Sequence, residues 1–396
     1  MPPTPIRSGR RRCLAALALS PLAAVSQGPA RAARTACLPI ADWTGFAARH
    51  LQADGRVIDF DTQEQHSTSE GQSYGLFFAL VHNDRAAFDR VLQWTDANLA
   101  GGRLAQRLPA WRWGRKVDGS WGVLDANPAS DSDLWVAYAL IEAGRLWNHP
   151  AYQALGRSVL ENAVREEVSV LPGLGRMLLP WPRSVANGPV WRLNPSYLPV
   201  QLLRRFQQEE PQGPWGEIAQ HTVRMLEAVA PRGFAPDWCA WSEKDRAFVA
   251  DPQKRAVGSY DAIRVYLWAG MLHAQEPARA ALLKFLRGPR TQLLQSAAFP
   301  EYVDTDTGAT RGTAPVGFAG ALLPYLQAQG LQDALAQQLA RIRERTQAAV
   351  APAPLPYYES VLLLFGQAWL DGRYAFGRNG ELQPDWRRLC PVPRSA

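Results

Sequence analysis

The 396-residue sequence is poor in the residues that build metal centres and disulfide frameworks: it holds four cysteines and six histidines. No Cys-x-x-Cys pair, no His-Glu-x-x-His and no ligand spacing among the histidines occurs, so no metal is expected. A phosphate-binding glycine loop is missing too, and with it the expectation of a nucleotide cofactor. No segment reaches the roughly 18 uncharged apolar residues that a membrane span requires. Charge of one sign is also scarce, since Lys+Arg 43 against Asp+Glu 36 gives a formal +7. At 47% hydrophobic the composition is that of a globular protein, which excludes disordered and collagen-like chains. What the chain does have in surplus is aromatic residues, with 15 Trp, 11 Tyr and 13 Phe.

Much of the positive charge sits at the N-terminus. Arg7, Arg10, Arg11 and Arg12 precede the apolar run Cys13 to Val25, and Ala30-Arg31-Ala32 follows. This is the three-part pattern of a secretory signal, expected to cover 1–32. Its removal would take away five arginines and no acid, lowering the charge from +7 to +2. A nucleic-acid partner is therefore not expected, and the mature chain is expected to be periplasmic or secreted. The adjacent arginines also fit a twin-arginine signal, so two export routes stay open. Outside the signal, Cys37 and Cys390 lie near the two ends of the mature chain. An oxidising compartment would allow a bridge between them and leave Cys239 as a free, buried thiol; three independent thiols are the alternative.

From Ser69 onward apolar residues recur at helical spacing: Tyr74, Phe77, Phe78 and Val81, then Phe88, Val91 and Leu92 beyond the break His82-Asn83-Asp84. The pattern returns at Leu134, Ala137, Tyr138 and Ile141, at Ile263, Leu267 and Met271, and at Val361, Leu364 and Phe365. Between these runs lie Trp/Pro/Gly-rich stretches, Leu108 to Pro128, Pro172 to Pro199 and Ala230 to Gly258. No linker divides the chain, so residues 33–396 are expected to form one all-α domain, a toroid of helical hairpins carrying long structured loops.

Acids stand at the starts of several apolar helices: Glu70, Asp131 with Asp133, and Asp261. Their ordinary role is to cap exposed backbone N–H groups and oppose the helix dipole, and Asp133 fits that role best. A toroid adds a second role, because inner helices that start at one rim would bring acids from distant positions into one cleft. Two carboxyls there can cleave a glycosidic bond, one protonating the leaving oxygen and one activating water. Trp111, Trp113, Trp121, Trp135, Trp191 and Tyr197 cluster in or beside the loops after the first acids and offer flat faces to sugar rings, with Tyr74 one turn beyond Glu70. Gly71-Gln72-Ser73-Tyr74-Gly75 matches the Gly-x-Ser-x-Gly of serine hydrolases, but no buried parallel strand precedes it and Ser73 is not expected to be a nucleophile.

At these residues the chain resembles glycoside hydrolase family 8, and within it the periplasmic endoglucanases encoded beside bacterial cellulose synthases. The likeness runs from about Ala36 to Cys390. It is carried by Gly55-Arg56-Val57-Ile58-Asp59, Thr68-Ser69-Glu70-Gly71-Gln72-Ser73-Tyr74-Gly75, Leu108-Pro109-Ala110-Trp111, Asn194-Pro195-Ser196-Tyr197-Leu198-Pro199 and Ser259-Tyr260-Asp261-Ala262-Ile263-Arg264-Val265-Tyr266. The resemblance implies an (α/α)6 barrel and hydrolysis that inverts the anomeric carbon. It implies Glu70 as general acid, Asp261 as general base, Asp131 as the residue that holds the sugar at the cleavage subsite, and Arg264 as a neighbour that orients the base or contacts the glucan. The implied partners are β-1,4-glucan (cellulose) chains and the cellulose synthase complex, with no cofactor. Xylan and chitosan are alternative substrates, and a non-catalytic glucan-binding scaffold is the competing class.

Overall fold

The computed structural model describes residues 43–182, 189–347 and 354–386. The signal expected over 1–32 and both Cys37 and Cys390 lie outside the described residues. The helices are α1 (Trp43–His50), α2 (Ser69–Val81), α3 (Arg85–Leu99), α4 (Ser130–Leu146), α5 (Pro150–Glu167), α6 (Val200–Glu209), α7 (Trp215–Val229), α8 (Ala262–Gly270), α9 (Arg279–Phe285), α10 (Gly288–Gln295), α11 (Val316–Ala328), α12 (Gln332–Thr346) and α13 (Tyr357–Leu370).

They alternate in kind. In α2 every residue except Glu70 is buried, and α8 is buried along its whole length. A helix that is apolar all round must be surrounded by other elements, whereas α3 buries one stripe, from Ala87 and Phe88 to Leu99, and leaves the rest to solvent. Inner helices α2, α4, α6, α8, α11 and α13 follow one another around a ring, each backed by an outer helix, with α1 backing α13. The ring is an (α/α)6 barrel. It closes where α13 meets α2, with Phe365 edge-on to Phe78 at 4.6 Å. Rings from four inner helices fill the axis: Phe77 lies 4.9 Å from Trp135, Trp135 lies 5.4 Å from Trp268, and Trp268 lies 5.3 Å from Phe365. These are the offset and edge-on separations that aromatic quadrupoles favour.

Loop length separates the two rims. Connections from an inner helix to its outer partner take three to eight residues in the five hairpins from α2 to α12. The returns are long and carry short strands. Strands β1 (Ser67–Thr68), β2 (Arg112–Arg115) and β3 (Trp121–Asp125) form one antiparallel sheet before α4, and β4 (Val168–Leu171) pairs with β5 (Gly175–Leu178). Further on, β6 (Val190–Leu193), β7 (Cys239–Ser242) and β8 (Ala247–Ala250) form a second three-stranded sheet. All of them crowd the rim where the inner helices begin.

Inner helices touch closely at glycine. A Cβ on Gly366 of α13 would collide with the backbone carbonyl of Gly320 on α11. Gly366→Ala is therefore expected to lower stability by about 1–3 kcal/mol, seen as a reduced melting temperature in calorimetry; an unchanged melt would mean that these helices are not pressed together.

Candidate active site

Glu70 is the second residue of α2, and its neighbours explain its placement. Thr68 caps the helix, its hydroxyl accepting from the Gly71 N–H at 3.0 Å. A Cβ on Gly71 would press on the Tyr357 hydroxyl at 3.1 Å and the Thr68 Oγ1 at 3.3 Å, so only glycine leaves the turn undisturbed. The buried Gln72 amide accepts from the Val57 N–H at 2.6 Å and donates to the Gly55 carbonyl at 3.2 Å and to Thr95 at 3.1 Å, tying the helix start to the preceding loop and to α3. Asp131 lies in the first turn of α4, and Asp261 directly precedes α8.

One guanidinium joins these acids. Arg264, 5% exposed on α8, donates through Nη1 to Glu70 Oε2 and through Nη2 to Asp261 Oδ1 at 2.7 Å and Ser196 Oγ at 3.1 Å. Asp131 Oδ2 stands 3.9 Å from the same Nη1. Ser196 is itself fixed, donating from both backbone N–H and hydroxyl to Asn194 Oδ1 at 3.0 and 2.8 Å. Burial works against the charge on Arg264, but Glu70 and Asp261 outweigh it and hold the guanidinium charged. Asp131 is the opposite case: burial first, and then the nearby Glu70 charge, raise its pKa to about 8. Exposure separates the three acids as well. The side chains of Glu70 and Asp261 are 24% and 31% exposed, that of Asp131 only 6%. Glu70 and Asp261 can reach a ligand and water, while Asp131 sits beneath them as a largely neutral carboxyl that can donate a hydrogen bond. No hydrogen bond joins Glu70 to Asp261; the guanidinium stands between them.

The aromatic residues divide. Trp113 stacks on Trp121 at 5.4 Å, with the Arg56 guanidinium 4.4 and 4.7 Å from the two rings, and Trp121 is 45% exposed. Trp111, Trp191 and Tyr197 are half-buried at the loop rim, and the Tyr197 ring lies 5.9 Å from the Arg264 guanidinium. Trp135 and Tyr74 do not belong with them. At 1% and 2% exposure both rings pack into the axial cluster, because on an inner helix no face is left for a ligand. Asp133 is corrected too. It caps nothing: its carboxyl is fully buried, meets the equally buried Glu167 carboxyl of α5, and makes no hydrogen bond to any other group. Ser73 lies inside α2, its hydroxyl donating to the Glu70 carbonyl at 2.8 Å, behind a two-residue edge strand rather than a buried parallel one. Cys239 is a buried free thiol.

Of the other residues of the site, Asp59 lies in a segment that carries the family resemblance, and nothing local singled out the rest. Asp59, His66, Tyr357 and Tyr358 line, with Glu70, a cavity of about 130 Å³. Asp237 and Trp238 contact the start of α8 and Asp261. The Pro/Gly/Trp richness around 230–258 marks the loop that holds the last two but does not single them out.

Comparison with known proteins agrees with this geometry. The profile "Glycosyl hydrolases family 8" matches residues 6–372. An endoglucanase of Xanthomonas axonopodis pv. citri (strain 306) is 52% identical over 96% of this chain and 97% of its own, and one of Escherichia coli (strain K12) is 44% identical over 88% and 92%. Among solved structures, the endo-1,4-D-glucanase from Vibrio fischeri ES114 superposes with a TM-score of 0.82 at 40% identity, covering 87% of this chain and 100% of that one. The endo-beta-1,4-glucanase CMCax from Acetobacter xylinum gives 0.66 at 26% identity over 82% and 95%.

Burial raises both Asp133 and Glu167 well above the ordinary carboxylate range. The folded chain then keeps protons that the unfolded chain releases, so this contribution to stability is full below the unfolded pKa and is lost as pH rises towards the folded one. Glu167→Gln removes one of the titrating carboxyls. The melting temperature of that variant is expected to fall less steeply than the wild type's between about pH 4.5 and 7; equal slopes would contradict the pairing.

Proposed function

The chain belongs to glycosyl hydrolases family 8, an inverting family, and is an endoglucanase of it; we propose that Glu70 is its general acid and Asp261 its general base on β-1,4-glucan. The observation that carries this assignment is the Arg264 bridge, which holds two accessible carboxylates on either side of one cation over a third, buried acid. An inverting hydrolase needs its two carboxyls roughly 6.5–9.5 Å apart, so that water fits between the base and the anomeric carbon. Carboxyls kept apart by a guanidinium rather than bonded to each other suit that requirement.

In the proposed reaction substrate displaces the Glu70 carboxylate from Arg264, the carboxylate takes up a proton from solvent, and the neutral carboxyl gives that proton to the glycosidic oxygen as the C1–O bond breaks. Water attacks C1 from the opposite face and its proton passes to Asp261. Asp131, held neutral by burial, donates to a sugar hydroxyl at the cleavage subsite. Arg264 orients Asp261, and the half-buried Trp111 and Tyr197 and the exposed Trp121 supply faces for flanking glucosyl units. The reading extends to an exported protein that trims glucan during cellulose synthesis; the N-terminal arginine and apolar pattern supports the export, and the motif resemblance supports the link to the synthase.

Purified protein incubated with cellopentaose and followed by proton NMR is expected to release the α-anomer first, whereas initial β-anomer would overturn the assignment. Glu70→Gln should lower turnover by about 10²- to 10⁴-fold while oligosaccharide binding measured by calorimetry persists. Wild-type protein that binds but does not cleave would indicate a scaffold protein instead.

A further inference from the structure

Asp261 opens α8, the position where an acid ordinarily caps the helix with its own side chain, yet it makes no cap hydrogen bond. Asp237 performs that task. Its Oδ1 accepts from the backbone N–H groups of Ser259 at 2.8 Å, Asp261 at 3.0 Å and Ala262 at 2.8 Å. The adjacent Trp238 donates from Nε1 to Asp261 Oδ2 at 3.0 Å, on the oxygen that Arg264 leaves free. Both oxygens of Asp261 are thus held by one donor each, and its carboxylate is released from backbone duty.

The two residues are themselves rigidly supported. They immediately precede β7, which is paired on both edges by β6 and β8. The Asp237 N–H donates to the Val257 carbonyl at 2.7 Å. The Trp238 ring covers the Arg192 guanidinium at 4.8 Å, and Arg192 is ion-paired with the buried Asp251 at 2.7 Å. Trp181 at 5.7 Å and Tyr197 at 6.1 Å enclose the ring.

We propose that Asp237 and Trp238 are the positioning residues of the general base, Asp237 by capping α8 in place of Asp261 and Trp238 by fixing the second oxygen of Asp261. This rests on the reading of Asp261 as the base. Burial, and then the charge of Asp261, raise the Asp237 pKa to about 6, as expected for two carboxyls sharing one helix start. The other charged or titratable groups facing the pair are Arg264 of α8 and Arg192 of β6, with Tyr197 of the loop after β6, Tyr358 of α13 and Tyr266 of α8.

The test is steady-state kinetics on cellopentaose across pH for Trp238→Phe, Asp237→Asn and Asp261→Asn, with melting temperatures alongside. Trp238→Phe keeps the ring and loses the N–H, and is expected to lower kcat about tenfold with KM unchanged. Asp237→Asn keeps an acceptor for the three N–H groups and removes a negative charge beside the base. It is expected to lower kcat and to remove from the kcat profile the inflection near pH 6 at which Asp237 titrates in the wild type. A purely structural role would lower the melting temperature with no such inflection in the wild-type profile, which would overturn the proposal. So would a Trp238→Phe effect confined to KM, since the ring would then be a sugar contact. An active Asp261→Asn would instead reject Asp261 as base, whatever the other two variants do.

Discussion

The Arg264 guanidinium is the interaction on which the site depends. Three carboxyls from α2, α4 and the start of α8 converge within reach of it, and like charges brought together at low exposure repel strongly unless a cation or a proton intervenes. Arg264 supplies the cation for Glu70 and Asp261. Asp131 resolves its share of the conflict by remaining protonated, its pKa raised to about 8. Similar side chains thereby acquire different states and different tasks from their depth below the rim.

The barrel makes this convergence possible. Because the inner helices all begin at one rim, residues as far apart in sequence as Glu70, Asp131, Ser196, Asp261 and Tyr357 meet there without any long excursion of the chain. The aromatic cluster along the axis, from Phe77 through Trp135 and Trp268 to Phe365, fixes the spacing of the helices and so the positions of their first residues. The short sheets at the rim then act as brackets. The β6–β8 sheet carries Trp238 to Asp261, and the β1–β3 sheet carries Thr68 to the cap of α2.

What was legible in the sequence follows from the range of the interactions. Helical spacing of Phe77, Phe78 and Val81, and of Ile263, Leu267 and Met271, announces the inner helices because that signal is local. Glu70, Asp131 and Asp261 stand out because each opens such a helix, Glu70 and Asp261 within segments that carry the family resemblance. Trp135 and Tyr74 mislead for the same reason: they lie close to the acids in sequence, and only the closed ring shows that no face of an inner helix is open. Asp133 reads as a cap until α5 brings Glu167 against it. Asp237 and Trp238 have no local signature that singles them out of their loop, since their task is defined by a three-stranded sheet assembled from Val190 to Ala250. Strands of two to five residues are too short to show alternation.

Neutron diffraction from a perdeuterated crystal near neutral pD tests the charge arrangement around Arg264 most directly, since it locates the deuterons on the side chains themselves. Expected is a deuteron on the Asp131 carboxyl beside a fully charged Arg264 bridging Glu70 and Asp261. A bare Asp131 carboxylate, with the guanidinium turned away from both other acids, would contradict it.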